Sequence, residues 1–124
     1  MPSLVSMAEP VGALLKERGQ TARRSLLRFD DTQAQMRGST EEYATLVATT
    51  MRGLMETDWA IGESGAAGPS GNRYGDPAGH VALAVVGPIS ATRIVQTGSG
   101  DREANMWSFA QAALDLLHET VKAG

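Results

Sequence analysis

Glu63 and Ser64 stand side by side, and glycines follow at 65, 68 and 71 with a second serine at 70. A carboxylate beside a glycine loop can act as general base on a bound water. Glycines spaced in this way let backbone amides approach an anion, and the hydroxyls of Ser64 and Ser70 add donors. As a phosphate signature the spacing is incomplete. No Lys-Ser or Lys-Thr follows, as a Walker loop requires, and no helix starts on the glycines, as a dinucleotide fingerprint requires. The whole stretch GESGAAGPSGNRYGDPAGH, residues 62–80, holds six glycines and two prolines. That is more freedom and punctuation than a plain connector needs, so a functional loop is favoured over a structural Ω-loop. For Glu63 itself the plainer role, fixing the loop by hydrogen bonds, is preferred to catalysis. His80 heads an apolar run and His118 falls on the last helix, and each is read as structural because neither has a defined partner.

The elements that must position this loop follow from periodicity. Val11, Leu14 and Leu15 give a short amphipathic helix that stops at Gly19. The segment ARRSLLRF adds a turn or two. Ser39 and Glu42 form a capping box, after which Tyr43, Leu46, Val47, Met51, Leu54 and Met55 keep a 3.6-residue period. Residues 58–63, 80–87 and 90–97 read as strands, the last two as an antiparallel hairpin across the Gly87-Pro88 turn. From about Asp101 to Lys122 a long helix carries Trp107, Ala110, Leu114, Leu117 and Val121 on one stripe, with Met106, Phe109, Ala113 and Leu116 beside it. Trp107, Trp59 and the methionines are assigned to the core.

The chain has 124 residues, is 42% hydrophobic and 20% charged, and fits one domain, 1–124. The loop leaves the strand at Glu63, and in open α/β sheets ligands gather beyond the carboxyl ends of strands. A net charge of −3 offers no basic footprint for nucleic acid or an anionic membrane. With no cysteine, disulfides and thiolate zinc sites are excluded, and neither a metal nor a cofactor is expected. No apolar run reaches the roughly 20 residues of a membrane span, and MPSLVSMAEP lacks the pattern of a secretion signal. The expected location is cytoplasmic.

The segment DWAIGESGAAGPSGNRYGDPAGHVALAVVGP resembles the C-terminal domain of the competence/damage-inducible CinA family. The hallmark there is a strand ending in T/S-G-x-A-G-P-x-G, a loop, and a buried strand. Ser64, Gly65, Ala67, Gly68, Pro69 and Gly71 take the motif positions, and Gly79 with the strand from His80 takes the next. Gly100, Asp101, Arg102 and Glu103 resemble the family's G-D-R/K-E stretch before the last helix. The resemblance implies a nicotinamide-nucleotide amidohydrolase-type domain, with nicotinamide mononucleotide or a related pyridine nucleotide bound by Ser64, Gly65, Ala67, Gly68, Pro69, Gly71, Asp101 and Arg102. Asp101 reads equally as the N-cap of the last helix. Arg73 and Tyr74 could cover a nucleotide, or be merely solvated. Glu63 and Ser64 are the catalytic candidates.

The family pattern also has, after its first helix, a strand ending in E-S-x-G-G and then a strand ending in Y-T or Y-S. Here KERGQT runs straight into ARRSLLRF, so the expected fold is a three-layer α/β/α sandwich with a mixed sheet shortened to about three strands, lacking the motif that carries the family's serine nucleophile. A lysine position linked to activation is filled by Arg23, which stays protonated and cannot serve as a base. The resulting expectation is an impaired amidohydrolase, with a noncatalytic nucleotide-binding or subunit-interaction protein as the alternative. A strand left unpaired by the shortening favours homo-oligomerisation.

Overall fold

In the run HVALAVV, Val81, Leu83 and Val85 turn to one side of the chain and Ala82, Ala84 and Val86 to the other, all buried. A strand apolar on both faces needs a cover on each. The computed structural model describes residues 4–7, as backbone, and residues 36–124. In these the elements are β1 (Leu4–Met7), α1 (Glu41–Met55), β2 (Trp59–Ala66), β3 (His80–Val86), β4 (Ala91–Gln96) and α2 (Arg102–Ala123). The expected helix at 11–19, the turns at 22–29 and Arg23 lie outside the described residues. The sheet runs in the order β1-β2-β3-β4, antiparallel from β2 to β4, with β1 parallel to β2. The α/β class and mixed sheet are as expected, and the three antiparallel strands gain a fourth neighbour. Four residues with one β-branched member carry too little alternation to announce β1. β1 lies on the edge of β2 that the shortened sheet was expected to leave open.

The two faces pack differently. On one, Trp59, Ile61, Val81, Leu83 and Val85 meet Phe109, Ala113 and Leu116 of α2. On the other, α1 lays Ala44 and Ala48 on Ala60, Ala82, Ala84 and Val86. The approach there is close: a Cβ on Gly62 would lie 2.0 Å from the carbonyl oxygen of Ala44. The face of α1 on the sheet is therefore built of small residues, while Leu46 and Met51 pack with Tyr43 and Val47 in a satellite cluster and Leu54 and Met55 are exposed.

Three expectations are corrected. The N-cap of α1 is Thr40, whose Oγ1 accepts from the amide of Tyr43 at 3.2 Å, not Ser39. Ser39 has φ +58° and its hydroxyl is drawn off to accept from Asn72 Nδ2. β2 continues past Glu63 to Ala66, because its ladder with β3 runs on to the pair Ala66 and His80. On α2, Trp107 is not core. Asn105 is the buried residue of the first turns, since its Nδ2 donates to the carbonyls of Ala67 and Ser99, both at 2.7 Å. That anchor turns Phe109, Ala113, Leu116 and Thr120 inward and leaves Trp107, Leu114 and Val121 outside. Among the described residues no helix is long and apolar enough to cross a membrane, and no group of His, Asp and Glu is arranged to hold a metal.

Candidate functional site

Because α1 packs antiparallel to β2, its N-terminus lies at the carboxyl end of that strand. The N-terminus of α2 reaches the same end through Asn105 and Ala67. Two helix N-termini thus flank the loop at residues 67–79, each with the partial positive charge of its unsatisfied amides. β1, parallel to β2, points its carboxyl end to the same edge.

The α2 side of the loop is held by the residues expected to touch ligand. Asp101 caps the helix, its Oδ1 accepting from the amide of Ala104 at 3.1 Å. Arg102 donates through Nη1 to the carbonyl of Gly68 at 3.1 Å. Ala67 is buried and gives its carbonyl to Asn105. Both Asp101 and Arg102 therefore already have structural partners. The glycines are also accounted for by packing. A Cβ on Gly65 would come within 2.3 Å of the carbonyl oxygen of His80, on Gly68 within 2.7 Å of that of Gly100, and on Gly71 within 2.2 Å of that of Asp76. Pro69, Ser70 and Gly71 are exposed at the tip, and among the described residues nothing accepts from the amides of Ser70 and Gly71.

The α1 side is a polar network that sequence reading did not assemble. Asn72 is its hub. Its Oδ1 accepts from the amides of Tyr74 (2.9 Å) and Asp76 (3.1 Å), and its Nδ2 donates to Ser39 Oγ (3.0 Å) and Asp76 Oδ2 (2.9 Å). Asp76 also takes a short bond from Arg37. The hydrogen bond from Asn72 chiefly holds the Asp76 carboxyl below the ordinary carboxylate range, with Arg37 assisting against some desolvation. His80 is buried, with Nε2 2.9 Å from the carbonyl of Ser39 and Nδ1 3.0 Å from Nε2 of Gln96. A carbonyl can only accept and an amide nitrogen can only donate, which fixes the tautomer with hydrogen on Nε2. His80 thus pins β3 to the turn before α1, a structural role. An asparagine two residues before a tyrosine amide and four before an aspartate in a Gly/Pro loop was the available sequence signal.

Tyr74 sits over this network with the guanidinium groups of Arg37 and Arg73 at 4.8 and 5.0 Å from its ring centroid. Partial burial works to raise its pKa. The hydrogen bond from Arg73 to the phenol, the amide of Gly38 and both positive charges outweigh that, and the net shift is downward.

Glu63 and Ser64 do not converge. As neighbours in a strand they point to opposite faces of the sheet. Ser64 is buried on the α1 side, and its Oγ accepts from the amide of Ser39 at 2.9 Å. Glu63 faces the α2 side, opposite Leu83 in the ladder. Two grooves are lined by described residues. One, of about 520 Å³, lies along α2 at Arg102, Glu103, Met106, Trp107 and Ala110. The other, of about 510 Å³, lies between the C-terminal half of α1 and the end of β3 at Val86 and Gly87, away from the loop.

Comparison with known proteins agrees with this geometry. A family model described as the CinA C-terminal domain matches residues 8–121. A CinA-like protein of Gloeobacter violaceus is 32% identical over 101 residues, covering 78% of this chain and 24% of its own length. One from Anaeromyxobacter dehalogenans is 36% identical over 77 residues, covering 62% and 19%. The chain thus spans about a fifth to a quarter of the length of these curated relatives. Among solved structures, the competence damage-inducible protein A from Klebsiella pneumoniae has a TM-score of 0.80 at 23% identity, covering 98% of this chain and 87% of its own. A CinA superfamily protein from Escherichia coli has a TM-score of 0.77 at 20% identity, covering 94% and 78%.

Proposed function

The chain belongs to the CinA C-terminal domain family, and from that premise we propose a domain of the nicotinamide-nucleotide amidohydrolase type that binds a pyridine nucleotide such as nicotinamide mononucleotide but hydrolyses it poorly or not at all. The observation that carries the binding half is the convergence of two helix N-termini on a loop whose tip amides, at Ser70 and Gly71, are exposed and unengaged among the described residues. That is a setting for a phosphate monoester. Arg73 and Tyr74, exposed on the same loop, can lie against the ribose or the ring.

The loss of hydrolysis rests on the want of an activated nucleophile among the described residues. Amide hydrolysis needs an activated hydroxyl, a proton donor for ammonia, and donors aimed at the oxyanion. Ser64 is buried under the amide of Ser39, Glu63 lies on the other face, and His80 has both ring nitrogens engaged.

An assay of ammonia release from nicotinamide mononucleotide by the full chain tests the proposal. The expected result is no turnover above the uncatalysed rate. Turnover abolished by Ser64→Ala contradicts it and makes Ser64 the nucleophile.

A further inference from the structure

The corner of the loop at residues 72–76 is tied by its own bonds. The amide of Asn72 donates to the carbonyl of Asp76 at 3.1 Å, and Asn72 Oδ1 takes the amides of Tyr74 and Asp76. The two arginines at this corner are used differently. Arg37 is ion-paired with Asp76. Arg73 is exposed and has no carboxylate partner among the described residues; its Nη2 donates to the phenol of Tyr74 at 2.9 Å. That bond, with the guanidinium 5.0 Å from the centroid of the Tyr74 ring, fixes where the fork points and leaves its other N–H groups for a ligand. Gly75 beside it has nothing within 4 Å of a Cβ, so the space there is open.

Resting on the nucleotide reading above, we propose that Arg73 is a specificity-determining residue, which makes this site favour a pyridine nucleotide whose ring bears a carboxylate over one whose ring bears a carboxamide. With the phosphate on the tip amides of Ser70 and Gly71, the base end is left to meet Arg73, two residues further on. A fixed guanidinium meets a carboxylate through two parallel charge-assisted bonds. A carboxamide offers it one neutral acceptor and turns its own N–H groups toward those of the arginine. The ring does not discriminate. Tyr74 already carries two guanidinium groups, Arg37 at 4.8 Å and Arg73 at 5.0 Å, so a cationic pyridinium gains nothing by stacking on it. The neighbouring carboxylates do not cancel Arg73, because Asp76 is taken by Asn72 and Arg37, and Glu41 by Thr92. The choice therefore falls to the substituent on the ring.

Calorimetric titration of the full chain with nicotinate mononucleotide and with nicotinamide mononucleotide, at low and at high salt, tests this. The expected result is binding of the acid about fivefold tighter than of the amide at low salt, as the gap between charged and neutral hydrogen bonds implies. The ratio should shrink at high salt, because the pair is exposed. It should fall to about one in Arg73→Ala and stay between the two in Arg73→Lys, which keeps the charge and loses the fork. Equal affinities in the parent chain assign Arg73 to the phosphate or to solvent and overturn this inference alone. A preference for the acid that survives Arg73→Ala overturns it equally. If neither nucleotide binds, the nucleotide reading falls and this inference with it.

Discussion

Asn105 Nδ2 donates to the carbonyl of Ala67 at 2.7 Å, so the first turn of α2 is bonded to the residue at which the glycine loop leaves β2. The same nitrogen holds the carbonyl of Ser99, and the Oδ1 accepts from the hydroxyl of Thr97. One buried amide thus fixes the rotation of a 22-residue helix and the origin of the loop.

Asn105→Ala removes these bonds and leaves two carbonyls without their donor. The expected loss is about 2–6 kcal/mol, at roughly 1–3 kcal/mol for each of the two buried groups left unsatisfied. A urea unfolding curve with a lower midpoint and unchanged slope checks it.

Two glycines of the α1–sheet layer should respond in opposite directions. Gly62→Ala forces a methyl against the backbone oxygen of Ala44 and should cost at least about 1–3 kcal/mol, since neither helix nor sheet can yield locally. Gly53 is exposed within α1 and has nothing within 4 Å of a Cβ. Gly53→Ala should stabilise by about 0.5–1 kcal/mol. Thermal unfolding of both variants measures the contrast.

The carboxyl of Asp76 has a lowered folded pKa, first through the Asn72 bond, so its contribution to stability is present above the unfolded value of 3.8. It is lost as pH falls through and below that value. Asp76→Asn should therefore flatten this part of the acid limb of a stability–pH profile and leave the slope near neutrality unchanged. A variant with the same acid limb as the parent would show that the network contributes nothing there.

The phenol of Tyr74 should ionise below the ordinary 10.0, with Arg73 as its hydrogen-bond donor. Arg73→Ala should move that ionisation upward in an ultraviolet titration. An unchanged midpoint would mean that the arginine does not reach the phenol in solution.

The strands, the hairpin, the last helix and the loop were legible because each rests on local chemistry: β-branched runs, the Gly87-Pro88 turn, and Asp101 as a cap. The rotation of α2 was not, because two apolar stripes compete on it and a polar residue, Asn105, decides which is buried through partners 38 and 6 residues away. The hub at Asn72 escaped for the same reason, as Ser39 and His80 meet it only after folding. The loop motif gave the family directly, yet its glycines are explained by chain packing against the carbonyls of His80, Gly100 and Asp76. That Glu63 and Ser64 face opposite sides of the sheet was not legible, because the strand was expected to end at Glu63 and it runs through both.

The most direct measurement is a calorimetric titration of the full chain with nicotinamide mononucleotide, with ammonia followed in the same cell. The account predicts saturable binding to one site per chain and no ammonia, with affinity at least about tenfold weaker in Gly71→Ala, whose methyl pushes the loop off the carbonyl of Asp76. Absence of binding, or binding unaffected by Gly71→Ala, contradicts the loop as the nucleotide site, and sustained ammonia release contradicts the loss of hydrolysis.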